Sequence, residues 1–188
     1  MIISEELSSS CSVTTIHQIE SREELIYGAK LLESAERYDD VRRMMKKIIE
    51  LFDSELSTEE RNMLWIAYKN VIGSKRLALK ITTSTCDQLT NKMEFHQLKL
   101  AQLYQQHIEH EINDICHELF HLLDHYLIPT ATRNEDRASM IFFYKMKGDY
   151  HRYLSESKKG DEFSHHSQLA LEAYKKATYY EVGGNNSQ

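Results

Sequence analysis

The chain has 188 residues with a formal net charge of −6, one proline and six glycines. So few turn-forming residues exclude a many-stranded β architecture and leave a few long helices, while the acidic balance speaks against a general nucleic-acid binder. The three cysteines, Cys11, Cys86 and Cys116, are far apart and odd in number, which argues against a disulfide framework or a cysteine-based zinc site and suits a reducing compartment.

Residues 1–20 are rich in serine and threonine and read as an extension without regular structure. They turn acidic after the opening residues, unlike a cationic secretion signal. No apolar run approaches the ~20 residues that span a bilayer. The expectation is therefore a cytoplasmic protein, with the nucleus also open, and no membrane partner.

One helical domain is expected over residues 21–181, followed by a flexible tail over 182–188. Ser21-Arg-Glu-Glu24 has capping-box spacing and starts a first helix running to about Glu36. Tyr38-Asp-Asp40 leads into a second helix that ends near Leu51 or Phe52. Ser57-Thr-Glu-Glu60 repeats the capping box and opens a third helix to about Cys86. Thr90-Asn91-Lys92 breaks the pattern before a fourth helix from Met93 to Leu127. Proline lacks an amide donor and clashes with the preceding turn, so Ile128-Pro129-Thr130 is expected to end that helix, with a loop to Asp136. A fifth helix runs to about Leu154, and Lys159-Gly160-Asp161 turns the chain into a sixth helix to about Glu181. Along the fourth helix Leu100, Tyr104, Ile108, Ile112, Ile115, Leu119, Leu122 and Tyr126 recur at steps of three and four residues. That stripe predicts core packing in an all-α antiparallel array of about six helices.

Two cationic stripes carry the candidate chemistry. On the third helix Lys69, Gly73, Arg76 and Lys80 follow one another at steps of four, three and four residues, one narrow face at about 100° per residue. On the fifth, Lys145, Gly148, Asp149 and Arg152 form a similar face, with Tyr153 one step round. Asp149 sits one turn before Arg152, where it can pair with the guanidinium and fix its direction. A phosphate monoester carries about −1.5 to −2 charges and several acceptor oxygens, and arginines converging from two helices would supply fork-like, charge-assisted donors. Charged stripes are common on solvated helix faces, the reading that spacing alone favours, so the stripes by themselves do not identify a phosphate site.

His117-Glu118-Leu119-Phe120-His121, with His125 a further turn on, matches the H-E-x-x-H spacing of zinc hydrolases, in which two imidazoles bind zinc and the glutamate activates water. Set against the core stripe, however, His117, His121 and His125 fall on the opposite, polar face with Asp114. They are better read as surface residues, so neither a metal site nor another cofactor is expected. His165-His166, His107 and His110 read as solvated helix residues, and Cys116 as a small buried apolar residue.

Three stretches resemble 14-3-3 proteins in order and spacing: Ala29-Lys-Leu-Leu-Glu-Ser-Ala-Glu-Arg-Tyr-Asp-Asp40, Leu56-Ser-Thr-Glu-Glu-Arg-Asn62 continuing to Ile66-Ala-Tyr-Lys-Asn-Val-Ile-Gly73, and Phe143-Tyr-Lys-Met-Lys-Gly-Asp-Tyr-His-Arg-Tyr-Leu154. Leu127-Ile-Pro129 also matches the family's exit from its fourth helix, and the resemblance covers about Glu23 to Ala177. It implies a non-enzymatic adaptor that binds partner proteins carrying phosphoserine or phosphothreonine. The family's phosphate-binding lysine, two arginines and tyrosine fall on Lys69, Arg76, Arg152 and Tyr153. Lys145 matches a groove-lining lysine, and Asp149 is expected to orient Arg152.

The resemblance also implies a homodimer, or a heterodimer with related chains, formed through the N-terminal helices. Leu31 and Ala35 match the first-helix side of that interface; Ala78, Thr82, Thr85 and Tyr104 match the receiving side. Arg37 and Glu111 match a cross-subunit ion pair. Thr82 and Thr85 stand where the family has more apolar residues, and His107 replaces a lysine facing an acid, here Asp40. A weaker dimer that tightens as His107 protonates is the expected consequence. The family's chain continues into further helices that complete the groove. The alternative expectation is thus a groove-incomplete form that acts by dimerising with relatives.

Overall fold

A computed structural model describes residues 21–52 and 55–183, so the extension expected over 1–20 and most of the expected tail lie outside the described residues. Every regular element among the described residues is helical: α1 (Arg22–Ser34), α2 (Tyr38–Phe52), α3 (Thr58–Asn91), α4 (Phe95–Leu122), a π-helical segment Leu123–Leu127, α5 (Ile128–Arg133), α6 (Arg137–Glu156) and α7 (Gly160–Val182). Because α4, the π-segment and α5 run on without a break, the described residues form six rods, in agreement with the all-α array expected from the sequence.

Both anticipated capping boxes form. Glu24 N–H donates to Ser21 Oγ at 3.2 Å, and Ser57 N–H donates to Glu60 Oε2 at 2.9 Å. Glu60 is buried and also accepts from Arg22 at 2.7 Å, so the start of α3 is tied to the start of α1. Asp136 caps α6 by accepting from Ser139 N–H at 3.1 Å. The helix ends are less conventional. Glu36, Met93 and Glu135 take left-handed backbones with φ of 56°, 58° and 53°, where glycine would be usual. The following amide in each case bonds a carbonyl five residues back: Arg37 to Leu32, Glu94 to Leu89 and Asp136 to Ala131.

Pro129 does not end the fourth rod, contrary to the expectation from sequence. The π-segment shifts the backbone register by one residue, so that Ile128 N–H bonds Leu123 O, five residues back. Pro129 then falls in the first turn of α5, where its missing donor costs little. The chain consequently stays helical to Arg133, and the expected loop shrinks to 134–136.

The core stripe of α4 also divides. Ile108, Ile112, Ile115, Leu119 and Leu122 are buried, whereas Leu100 is 67% and Tyr104 58% exposed. The reason is length. The 34-residue α3 and its antiparallel partner α4 project beyond α1, α2 and α6, so among the described residues their tip is covered mainly by each other. Lys75–Glu111 (2.7 Å) and the Gln105 amide donating to Thr83 Oγ1 (3.2 Å) staple that projection. At the other side α7 lies along α6 through a small-residue face of Ala170, Ala173 and Ala177, all buried.

Candidate functional site

The two cationic stripes meet where α3 faces α6. Arg76 reaches from α3 so that its guanidinium lies 4.0 Å over the Tyr153 ring of α6, while Arg152 stacks at 4.6 Å on the same ring. Arg76 also donates to Glu156 through Nε (2.9 Å) and Nη2 (2.6 and 2.8 Å), and Arg152 Nη1 stands 3.5 Å from that carboxylate. Arg152 Nη2 donates to Asp149 Oδ1 at 3.2 Å, the pairing that the one-turn spacing suggested. Two guanidinium groups thus share one tyrosine ring and one carboxylate.

Both arginines remain open to solvent, with side chains 32% and 48% exposed. Beside them lies a cavity of about 730 Å³ lined by Gly73, Arg76, Lys80, Tyr153, Glu156 and the lysines Lys158 and Lys159 at the α6–α7 turn. A Cβ at Gly73 would meet nothing within 4 Å, so the space beside this position is open. The cations can approach an oxyanion without first being unburied.

Lys69 and Lys145 stand apart from this group. Lys69 places its ammonium 4.4 Å over the ring of Trp65, one turn back on α3, and Lys145 pairs with Glu181 of α7 at 3.4 Å. The structure therefore assembles Arg76, Arg152, Tyr153 and Asp149, and leaves Lys69 and Lys145 outside that group. Two participants went unnoticed in the sequence. Glu156 lies one turn beyond Arg152 and was within reach of the same spacing argument. Tyr174 of α7 donates its hydroxyl to Asp149 Oδ1 at 2.7 Å, a contact with no local signal.

The H-E-x-x-H motif does not form a hydrolytic centre. Glu118 accepts from the buried Tyr68 hydroxyl at 2.8 Å and from Lys46 at 3.1 Å, and it also pairs with Arg42. Its carboxylate joins α4 to α2 and α3. Among the described residues no group of three or more His, Cys, Asp or Glu is placed to hold a metal ion.

Of the residues matched to a dimer interface, Leu31 is 61% exposed, and Ala35, Arg37, Thr85, Tyr104 and His107 are also exposed. Ala78, Thr82, Asp40 and Glu111 are partly covered. Arg37 pairs with Asp40 within the chain, and Glu111 pairs with Lys75 and lies 4.0 Å from His107 Nε2. Thr82 donates to Ala78 O at 2.9 Å and Thr85 to Ile81 O at 2.9 Å. Their hydroxyls are thus satisfied on their own helix, which makes these threonines less polar toward a neighbour than their composition suggests.

The described residues form an all-helical array that presents paired arginines on a tyrosine ring, and among them no helix is long and apolar enough to cross a bilayer. A sequence profile of the 14-3-3 protein family matches residues 28–184. The chain is 45% identical over 157 residues to 14-3-3 protein 8 of Solanum lycopersicum, a match covering 84% of this chain and 59% of that protein. It is 45% identical over 157 residues to 14-3-3 protein epsilon of Drosophila melanogaster, covering 84% and 58%. It is also 43% identical over 158 residues to the checkpoint signal transducer rad25 of Schizosaccharomyces pombe, covering 84% and 57%. The chain belongs to the 14-3-3 family. It spans less than two thirds of the length of these relatives.

Proposed function

We propose that this chain is a phosphoserine- and phosphothreonine-dependent adaptor that binds partner proteins without catalysing a reaction on them. The observation that carries this reading is the convergence of Arg76 and Arg152 on Tyr153 at 4.0 and 4.6 Å, half-exposed beside an open cavity. A phosphate entering there would take fork-like bonds from both guanidiniums and displace Glu156, the weaker anion with its single charge. Tyr153 contributes its hydroxyl, Asp149 orients Arg152, and Lys69 and Lys145 add charge along the peptide's path. The chain works in the cytoplasm and the nucleus, on phosphorylated proteins, as a homodimer or as a heterodimer with related chains.

A second reading has its own support. Leu77, Ile81, Leu100, Leu103 and Tyr104 expose 55–67% of their surface on the projecting α3–α4 tip. That apolar area suits burial against another helical chain, and here dimerisation with relatives is the chain's action. Fluorescence anisotropy with a phosphoserine peptide and its unphosphorylated twin separates the two. Phosphate-dependent binding lost in Arg76→Ala plus Arg152→Ala supports the adaptor. No phosphate-dependent binding, together with a dimer by sedimentation, leaves the second reading.

A further inference from the structure

The arginine pair stands at one end of a longer trough. The cavity beside it follows α3 from Gly73 to Asp87, about four turns and about 21 Å at ~1.5 Å per residue. An extended peptide rises about 3.3 Å per residue, so that length takes about six residues. Gln105, Glu109 and Ile112 of α4 line its floor.

The two walls run the same way. Arg61 of α3 pairs with Asp136 at the start of α6 at 3.1 Å, and Arg76 pairs with Glu156 at its end at 2.6 Å. One turn beyond Arg76 comes Lys80, and just beyond Glu156 on the opposite wall come Lys158 and Lys159; all three line the cavity. Lys158 is partly neutralised by Glu162 at 3.6 Å. Lys80 and Lys159 are exposed, and among the described residues no carboxylate pairs with either. Two ammonium groups thus face the trough just past the arginines, whereas its far end carries Asp87 and Glu109. The charge changes sign along the groove.

We propose that Lys80 and Lys159 form a second anion subsite, selecting phosphopeptides that carry an aspartate or glutamate two positions from the phosphoresidue. This rests on the phosphopeptide reading of Arg76 and Arg152 and deepens it. The spacing follows from backbone geometry. Arg76 and Lys80 lie about 6 Å apart along α3. An extended chain covers ~6.6 Å in two residues, and those two side chains point to the same side. An acid four positions away reaches about 13 Å, toward the repelling carboxylate of Asp87. Both lysines are solvated, so the gain is the modest one of an exposed ion pair and is screened by salt.

The test is fluorescence anisotropy of the whole chain with phosphoserine peptides that have alanine flanks or carry one glutamate at position +2, −2, +4 or −4. One of the two peptides with glutamate two positions away should bind about fivefold more tightly than the alanine peptide, with no gain at four positions and a preference that fades in high salt. Lys80→Gln plus Lys159→Gln should abolish that preference. Lys47→Gln plus Lys175→Gln, which alters two lysines outside the cavity, should leave it intact. Phosphate-dependent binding without the preference overturns the subsite and leaves the adaptor reading standing. So does a preference that survives loss of Lys80 and Lys159, or one lost equally with Lys47 and Lys175, which would mean a response to net charge alone. If no phosphoserine peptide binds better than its unphosphorylated twin, the adaptor reading falls and the subsite falls with it.

Discussion

Tyr174 and Asp149 are joined by a 2.7 Å hydrogen bond between α7 and α6, and the carboxylate oxygen that accepts it is the one that also accepts Arg152 at 3.2 Å. A residue that touches no expected ligand thus sets the direction of one that does. The approach depends on Gly148. A Cβ there would fall 2.6–2.9 Å from three atoms of the Tyr174 ring, so the ring occupies space that glycine alone leaves free. Tyr174→Phe should keep the fold and release Asp149, weakening phosphopeptide binding by about fivefold, the equivalent of ~1 kcal/mol for one net hydrogen bond. Gly148→Ala, which must push the ring off Asp149, should weaken it at least as much. Peptide anisotropy with circular dichroism as the folding check decides; unchanged affinity in both variants would remove Tyr174 from the site.

Glu156 poses the opposite question, because in the ligand-free chain it holds the donors that a phosphate needs. Its carboxylate takes three bonds of 2.6–2.9 Å from Arg76 and lies 3.5 Å from Arg152. Both partners are substantially exposed, so the pairing contributes at most about 1 kcal/mol. Glu156→Gln removes the competing charge while keeping the side chain's size, and phosphopeptide affinity should rise about threefold to fivefold. A drop in affinity would instead mean that Glu156 acts as a brace for the arginines.

How far these features could be read from the chain depended on whether their causes were local. The capping boxes at Ser21 and Ser57 need four consecutive residues, and both form as expected. The left-handed caps at Glu36, Met93 and Glu135 carry no glycine to announce them. Pro129 was misjudged because the compensation lies in the backbone: the π-turn before it moves the register, and no side chain signals that shift. Periodicity named the apolar face of α4 but not what covers it, so Leu100 and Tyr104 were assigned to a core that ends near Ile108. At the site, helical spacing aligned Arg76 with its own stripe and Arg152 with Asp149; bringing the two stripes together depends on the tertiary arrangement that lets Arg76 of α3 reach Tyr153 of α6. Tyr174 sits 25 residues from Asp149 and could be found in three dimensions alone.

The glutamate of the H-E-x-x-H motif offers a test in which pH carries the information. Burial alone would raise the Glu118 pKa. The hydrogen bonds from Tyr68 and Lys46 and the charge of Arg42 outweigh it and hold the carboxyl below its ordinary value of 4.5. A carboxyl whose folded pKa is depressed contributes stability that is complete above the unfolded value and is lost as pH falls through the lowered folded one. Glu118→Gln leaves the Arg42 guanidinium, 15% exposed, with Asp39 as its remaining anionic partner at 3.0 Å. The variant should therefore be about 1–2 kcal/mol less stable at pH 7, the cost of weakening charge-assisted hydrogen bonds rather than of stranding a charge. That deficit should shrink as denaturation is repeated at pH values falling below the ordinary carboxyl value of 4.5, as the wild-type carboxylate in turn takes up its proton. An equal deficit at both pH values would mean that Glu118 acts by shape and hydrogen bonding alone, its charge contributing nothing to the link between α2 and α4.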